Sequence, residues 1–297
     1  MALRKKENAT VIFNIIGYVV ISVFALYCLI PFWVIISGSL SSERSIIVDG
    51  LRLIPKEFSL RAYMLIFANP QKILKAYSVS VMVTVVGSLV GLFIISMTAY
   101  VLYRKDFKYR NKISFMIYFT NLFSGGLIPL YILVVKYLGL KDSYLALILP
   151  PMLSAWYIIL FRNFLKSLPE SIIESAKIDG AGDFRIYIKL VLPLSVPGLA
   201  TIGLFLGLQY WNDWFHAMLF INTRSRFPLQ FFLYEILRSA EYIAKIVNAS
   251  GSIPTQDLPT ESLKMATAIV VTGPIILLYP LIQKYYVKGL TIGAVKG

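Results

Sequence analysis

The residues of this sequence best suited to chemistry form one aromatic and polar stretch, QYWNDWFH, from Gln209 to His216. It combines a tyrosine and two tryptophans, Tyr210, Trp211 and Trp214, with the amide and carboxyl groups of Gln209, Asn212 and Asp213. A pyranose ring offers the matching surfaces, namely an apolar face and a rim of hydroxyl groups. The stretch therefore indicates a surface along which a sugar could pass.

Two other interpretations fit the same stretch. It lies near one end of a strongly apolar segment, 194–220, and tryptophan and tyrosine concentrate where a membrane meets water. The aromatic residues would then form an interfacial belt. Asp213 is the only acidic residue inside a predicted membrane span, where an unpaired charge is costly, so we expect it to be functional or paired. An ion-coupled transporter could use such a carboxylate.

A second polar patch, Asn121 followed by Ser124-Gly-Gly126, interrupts another apolar segment. Small residues allow helices to pack closely in a membrane. Polar side chains at that depth also contact substrates. Both uses stay open, and Asn121 and Ser124 are candidate substrate contacts.

The most clearly patterned polar stretch runs from Pro169 to Pro197, between two apolar segments. Its first residues place charges on one helical face and apolar side chains on another: Glu170, Glu174 and Lys177, and Ile173 and Ala176. Gly180 and Gly182 end this helix, because glycine accepts the left-handed conformations of helix ends. Asp183 is expected to cap a second helix. The pattern predicts a two-faced helical hairpin over 169–190.

This hairpin resembles the EAA loop of permease subunits in binding-protein-dependent ABC importers. The residues at the matching positions are Glu174, Ala176, Asp179, Gly180, Ala181, Leu192 and Pro193. Ser175 and Leu190 depart from the pattern, in place of an alanine and an isoleucine. In that family the loop docks in a cleft of the ATP-hydrolysing subunit. The resemblance therefore implies that these residues couple the chain to an ATPase.

The C-terminal end carries a second resemblance. The segment from Ser262 to Ala268 and the ending KGLTIGAVKG are similar to carbohydrate-type permeases such as the smaller permease subunit of the maltose importer. Trp211-Asn-Asp-Trp214 is similar to a W-N-x-[WF] element of the same permeases. The ending is most similar to the subgroup that imports complex oligosaccharides, alginate-type and plant-polysaccharide fragments among them. The resemblance implies an oligosaccharide substrate, with an acidic, alginate-like sugar as one candidate.

Composition indicates a polytopic membrane protein. The 297 residues are 58% hydrophobic, with a mean hydropathy of +0.72, well above that of a soluble domain. A hydrocarbon core of about 30 Å needs roughly 20 apolar residues per helix. Six candidate spans are predicted, at about 11–37, 76–101, 113–135, 143–161, 194–220 and 265–283. We expect one all-α domain over 1–297, for which the resemblance implies a type I ABC importer permease fold with a coupling helix.

Basic residues predict the orientation, because lysine and arginine favour cytoplasmic loops. With the N-terminus inside, the short inner segments carry 16 basic residues, and the longer outer segments carry 13 basic and 8 acidic residues. The first apolar run is too long for a signal peptide. We expect a bacterial cytoplasmic (inner) membrane protein with both termini and the hairpin in the cytoplasm. The long outer segments, 38–75 and 221–264, would dock a binding protein, cap the path or serve as passive surface.

Several other activities are disfavoured. A single cysteine, Cys28, and a single histidine, His216, argue against a metal site. The sequence has no Walker A loop and no recognisable catalytic set, so we expect neither an enzyme nor a cofactor in this chain. ATP and Mg would bind to a separate ATPase. The net charge of +14 fits basic loops at a membrane face better than nucleic-acid binding.

The resemblance also implies a set of partners. These are a second, homologous permease subunit in a heterodimer, two nucleotide-binding ATPase subunits, an extracytoplasmic solute-binding protein and membrane lipid. Closure of the ATPases would push on the hairpin 169–190 and switch the helices between inward and outward access. The alternatives are an ion-coupled secondary transporter that uses Asp213 and, less favoured, a membrane-embedded enzyme.

Overall fold

The computed structural model describes residues 2–250 and 259–276, and their backbone is helical apart from turns and one isolated bridge between Ser41 and Phe58. The helices are α1 (Ala2–Ser39), α2 (Glu43–Asp49), α3 (Arg61–Ile66), α4 (Pro70–Tyr103), α5 (Arg110–Leu122), α6 (Leu127–Ile132), α7 (Leu145–Met152), α8 (Ala155–Leu165), α9 (Glu170–Ile178), α10 (Asp183–Ile186), α11 (Leu192–Leu194), α12 (Val196–Trp211), α13 (Phe215–Phe220), α14 (Leu229–Ser250) and α15 (261–276). Single π-helical turns lie at Leu133–Tyr137 and Tyr187–Val191, and a 3₁₀ turn lies at Arg224–Arg226.

Two described helices are long and apolar enough to cross a membrane by themselves: Phe13–Ser39, with 27 residues, and α4, with 34. Three bent helix pairs also reach the necessary length, which gives up to five spans among the described residues. The pairs are Arg110–Leu122 with Leu127–Tyr137, Leu145–Met152 with Ala155–Leu165, and Asp183–Leu194 with Val196–Trp211. The predicted sixth span, 265–283, runs beyond the described residues.

The third and fourth predicted spans are broken rather than continuous. The third bends by 113° at residues 123–126, where Gly126 has a φ of +88°, a conformation that favours glycine. The fourth bends by 51° just after Pro150 and Pro151, which lack the backbone N–H that would continue a helix. Non-helical backbone within a membrane must be covered by protein or line a polar cavity. We therefore expect a partner subunit or a polar cavity to cover these breaks in the membrane.

The fifth predicted span, 194–220, has different bounds in the structure. Its helical residues run from Asp183 to Trp211 and bend by 82° at Ser195, between two prolines, Pro193 and Pro197. The polar sequence from Asn212 onward ends α12, and α13 follows as a separate short helix. Because apolar residues lie on both sides of each break, the hydropathy pattern predicted one continuous span.

The described residues form two compact units, 2–68 with the described part of 235–273, and 69–234 with 274–276. In the second unit α4 lies at the centre and packs against α12, α8 and α7. Its core contains fully buried apolar side chains such as Ile95, Phe161 and Leu206. The central position of α4 matters for function, because whatever moves α4 displaces the helices around it.

The first unit contains α1, whose apolar side chains are exposed along nearly the whole described span from Phe13 to Ile36. A soluble protein rarely leaves so large a continuous apolar surface uncovered. The exposure fits a helix in contact with lipid or with another membrane subunit.

A buried carboxylate connects two distant segments of the first unit. Glu43 is 6% exposed and accepts hydrogen bonds from the backbone N–H groups of Glu261 and Ser262 at 2.8 and 3.0 Å. The hydroxyl groups of Thr260 and Ser262 also donate to it, each at 2.8 Å. Glu43 therefore caps the start of α15, where a negative charge is favoured by the helix dipole.

Replacing Glu43 by glutamine is expected to destabilise the permease by about 1–2 kcal/mol at pH 7, because an amide cannot accept all four hydrogen bonds. Burial raises the pKa of Glu43, but these four donors lower it more, so the pKa lies below its ordinary value of 4.5. The stabilisation is therefore present above pH 4.5 and disappears as the pH falls through the lowered pKa.

Thermal unfolding of the purified importer at pH 7 and at decreasing pH measures this effect. Glu57→Gln is the matched control, because Glu57 lies on the exposed surface of the same segment and contacts Ser42. The capping role would be contradicted by an equal loss of thermal stability in both variants. It would also be contradicted if Glu43→Gln remained less stable than the parent in strong acid.

Candidate functional site

The predicted hairpin is present, and its first arm is α9. None of its nine residues is fully buried. Ile173 and Ala176 are half-buried and pack on the core of the second unit, while Glu174 and Ser175 are exposed beside them. The helix thus presents its charged face outward, as the spacing of charged and apolar residues predicted.

The turn of the hairpin depends on glycine. Gly180 has a φ of +76°, in the left-handed region that other residues rarely adopt. The backbone N–H of Ala181 then donates to the carbonyl oxygen of Ala176 at 2.9 Å, which closes the end of α9. Asp179 is the C-terminal cap, and its own N–H donates to Ser175.

The second arm consists of α10 and the π-helical turn Tyr187–Val191. Gly182, rather than Asp183 as predicted, occupies the N-cap position, and Asp183 is the first helical residue. Tyr187 is 1% exposed, its hydroxyl lies 2.7 Å from that of Ser96, and its ring stacks on Tyr100. Tyr187 therefore anchors the second arm to α4, while in the following helix, α11, Leu192 is half-buried and Pro193 is exposed.

The segment directly after α4 forms ion pairs with both arms of the hairpin. Arg104 donates to Asp106 through Nε, at 2.8 Å, and to Asp183 of the second arm through Nη1, at 2.5 Å. Lys177 of α9 donates to Asp106 at 2.8 Å. Lys105 and Glu170, at the start of α9, form a further pair at 2.7 Å. This set of six residues, 104–106 with Glu170, Lys177 and Asp183, is called the ionic clamp below.

The charges of the clamp stabilise one another. Hydrogen bonds from Arg104, and then from Lys177, hold the pKa of Asp106 well below its usual range. The hydrogen bond to Asp106 raises the pKa of Arg104. Because a lowered pKa keeps a carboxylate charged at any pH above it, Asp106 stays ionised throughout the physiological range.

A small open groove lies between α9 and the segment after α4. It is lined by Tyr103, Arg104, Lys105, Asp106, Glu170, Ile173, Glu174 and Lys177. The sequence identified the α9 residues of this groove but assigned 104–112 only as a basic loop. The one available signal was Asp106, an isolated acid within that basic run, and its partner on α9, Lys177, lies 71 residues away.

The aromatic and polar stretch lies at the other end of α12, whose 16 residues span about 24 Å at 1.5 Å per residue. Tyr210 and Trp211 are buried there, 3% and 8% exposed. The Tyr210 hydroxyl donates to the carbonyl oxygen of Ile148 at 2.7 Å. Trp211 packs near the ring of Tyr77. These two residues contribute to packing within the second unit.

The other residues of the stretch are more accessible. Gln209, Asn212 and Trp214 are exposed, and Trp214 stacks on Tyr234 with ring centroids 4.9 Å apart. Asn212 accepts a hydrogen bond from Gln230 at 3.0 Å. The stretch therefore divides into an inward-facing packing pair and an outward-facing aromatic and amide surface.

Asp213 is paired, which was one of the two expectations for it. Its carboxylate lies 2.7 Å from Nδ1 of His216 and accepts from the His216 backbone N–H at 3.1 Å. Asp213 thus lies in the break between α12 and α13 and bonds to a residue of α13. This local arrangement accounts for an acidic residue in an apolar segment without any ion transport.

The third candidate group, Asn121 and Ser124, lies at the break between α5 and α6, where both side chains are exposed. Ser124 accepts a hydrogen bond from the backbone N–H of Gly126 at 3.2 Å. Phe119 and Phe123 stack beside them with centroids 4.6 Å apart. The break thus exposes polar groups, aromatic rings and free backbone together.

Long apolar helices, broken spans and an exposed charged hairpin define a polytopic membrane protein. The family model of the binding-protein-dependent transport system inner membrane component matches residues 91–292. The polygalacturonan/rhamnogalacturonan transport system permease protein YtcP of Bacillus subtilis (strain 168) is 43% identical over 96% of this chain and 99% of its own length. Protein LplC of the same organism is 40% identical over 91% of this chain and 90% of its own length.

A solved structure gives the same result. A chain in the crystal structure of a bacterial ABC transporter involved in the import of the acidic polysaccharide alginate matches with a TM-score of 0.75 and 31% identity, covering 93% of this chain and 96% of that chain. The chain belongs to the family of binding-protein-dependent transport system inner membrane components. It is an ABC importer permease of the inner membrane, and the predicted fold class is confirmed. As a permease it is not itself an enzyme, and it works with binding-protein and ATPase partners.

Proposed function

We propose that this permease imports an acidic oligosaccharide built from uronate sugars. The observation that carries the proposal is the end-to-end match, at 43% identity, to a permease named for polygalacturonan and rhamnogalacturonan. The alginate importer chain matched in structure points to the same chemistry. Polygalacturonan and alginate are built from uronate sugars, and rhamnogalacturonan contains them beside neutral rhamnose. The outer segments of this chain carry 13 basic and 8 acidic residues, a balance that suits an anionic ligand.

The proposed machinery places this chain beside a second, homologous permease subunit, with two ATPase subunits and an extracytoplasmic binding protein. ATP and Mg bind to the ATPases. Both termini and the hairpin face the cytoplasm, where α9 docks on an ATPase and Glu174 lies at the contact. Closure of the ATPases favours one conformation of the permease over the other, which switches access from one side of the membrane to the other.

The proposed sugar path uses the exposed part of the aromatic and polar stretch. Trp214 supplies a flat face and Gln209 and Asn212 supply amide groups, while Asn121 and Ser124 are further contacts at the break in the third span. Asp213 positions this surface through its bonds to His216. Tyr210 and Trp211, predicted as path residues, lie buried in the core, so their part is to support the surface from behind.

Uptake assays test the substrate class. Cells that lack the importer, complemented with its full set of subunits, are given labelled oligogalacturonides or neutral maltooligosaccharides of the same length. We expect saturable uptake of the acidic sugar at least tenfold above that of the neutral one. Equal uptake of both, or uptake of the neutral sugar alone, would contradict the proposal.

Asp213→Asn is expected to reduce uptake by less than about threefold, because asparagine retains an oxygen that can accept from the His216 N–H. In vesicles loaded with ATP, a protonophore is expected to leave uptake unchanged. An ion-coupled secondary transporter predicts the opposite: no uptake by Asp213→Asn and none after the proton gradient is abolished. Family membership already disfavours that alternative.

A further inference from the structure

We propose that the ionic clamp, with Arg104 and Asp106 as its positioning residues, makes the coupling hairpin and α4 move as one body. The inference rests on the proposed coupling role of the hairpin. It adds the route by which movement reaches the transmembrane helices: through the end of α4 as well as along the chain from α11 into α12.

The two arms of the hairpin are attached to the core in different ways. The second arm is fixed by apolar packing, with Ile186, Tyr187 and Val191 each 1% exposed. In α9 no residue is fully buried, and Ile173 and Ala176 contribute only partial contacts. The arm that carries Glu174 is therefore the arm that depends on additional tethers.

The clamp supplies tethers at both ends of α9. Glu170, its first residue, pairs with Lys105, and Lys177, in its last turn, pairs with Asp106. Seven residues separate the two attachment points, about 10 Å along a helix. Two tethers that far apart fix the direction of a helix as well as its position. A single pair would leave α9 free to pivot.

Arg104 joins these tethers to α4 and to the second arm. Its side chain is only 11% exposed, although it is the residue that ends α4. It contacts Asp106, Asp183 and, at 3.1 Å, the hydroxyl of Tyr100 one turn earlier on α4. One guanidinium thus connects α4 directly to the second arm and, through Asp106, to Lys177 of the first. Its planar array of five donors allows such multiple bonding, which lysine cannot reproduce.

The carboxylates of the clamp are 49–71% exposed, and ion pairs with such exposed partners contribute little to stability, so a role in positioning has a distinct signature. Loss of the clamp should leave the importer folded and able to hydrolyse ATP, with less sugar moved per ATP. Arg104→Gln is expected to raise the ATP consumed per imported sugar at least threefold in vesicles with the full importer. Lys112→Gln, which removes an exposed cation from the neighbouring helix α5, outside the clamp, is the control and should behave as the parent.

A reversible tether tests the one-body movement directly. In a Cys28→Ser importer, cysteines replace Lys105 and Glu170, and a flexible bifunctional thiol reagent about as long as the two side chains joins them through a cleavable disulfide. We expect the tethered importer to keep at least half of its uptake, because these two positions do not separate during transport. Uptake that falls about tenfold on tethering and returns on reduction would overturn the proposal.

The companion measurement separates two kinds of failure. A cysteine at Ala176, in its own Cys28→Ser importer, reports whether the hairpin contacts the ATPase. If that contact is present but the tether blocks uptake, or Arg104→Gln retains the parental ATP-to-sugar ratio, the clamp proposal alone is wrong. If the contact is absent, the coupling role fails and the clamp proposal with it.

Discussion

An arginine in place of Glu174 is expected to reduce oligosaccharide uptake at least about tenfold while the amount of folded permease in the membrane stays the same. Glu174 is exposed on α9 and lines the groove beside the ionic clamp, so the substitution disturbs no buried contact. A reversed charge at a protein interface costs several kcal/mol, and each 1.4 kcal/mol is about a factor of ten in affinity. Uptake of a labelled acidic oligosaccharide and quantitative detection of the permease measure the two quantities.

The neighbouring residue provides the control for Glu174→Arg. Ser175 is also exposed on α9, and Ser175→Ala restores the alanine of the family pattern, so we expect parental uptake. Glu174→Gln should be intermediate, because it removes the charge and keeps the shape. Parental uptake by Glu174→Arg would show that this face of the hairpin contacts no ATPase.

Gly87→Ala is expected to destabilise the permease by about 1–3 kcal/mol, the typical cost of adding a methyl group to a filled core. A Cβ atom at Gly87 would lie 2.4 Å from the ring of Tyr210 and 2.7 Å from two further ring atoms. That ring cannot retreat easily, because Tyr210 is buried and its hydroxyl is bonded to Ile148. The close approach of α4 and α12 therefore requires glycine here.

Gly207→Ala is the matched control for Gly87→Ala. Gly207 faces α4 from α12, but its Cβ would meet Ser88 at 3.6 Å and Thr84 at 4.0 Å, which are ordinary contacts. Thermal unfolding of the purified importer should show a lower midpoint for Gly87→Ala and little change for Gly207→Ala. Equal midpoints in the two variants would mean that the helices can separate here at no cost.

The sequence predicted the hairpin well because its signals are local. The spacing of Glu170, Glu174 and Lys177 defines one face of a helix, and Gly180 has the left-handed conformation that its position suggested. The membrane class likewise follows from composition alone. Family membership and the fold class predicted from the motif are confirmed by the comparisons.

The helix breaks and the distant contacts could not be predicted in the same way. Hydropathy is averaged over a window of residues, so the apolar neighbours of residues 123–126 and of Ser195 mask these positions, although the helices bend there. Besides its neighbour Arg104, Asp106 accepts a hydrogen bond from Lys177, 71 residues away, and Asp142 accepts one from Thr223, 81 residues away. No helical period or turn pattern encodes such separations, because the tertiary fold brings these residues together.

The burial of Tyr210 and Trp211 shows a second limit. Aromatic residues suit a sugar surface, a membrane interface and a protein core equally well, so residue type alone cannot separate these roles. The feature that places Tyr210 in the core is Gly87, a residue on a different helix that leaves room for the tyrosine ring. The partner of Asp213 is His216, only three residues away, so the pairing of Asp213 was more predictable than the burial of Tyr210.

Cross-linking from a cysteine at Ala176, in native membranes of a Cys28→Ser importer, tests the central claim most directly. Ala176 lies half-buried beside the exposed Glu174 and Ser175 on α9, so a flexible thiol-reactive probe at this position samples the face that we propose docks on the ATPase. The account predicts a cross-link to a nucleotide-binding subunit whose yield changes with ATP. Labelling of the cysteine from outside the cell by a membrane-impermeant thiol reagent, with no ATPase captured, would contradict both the cytoplasmic orientation and the coupling role of the hairpin.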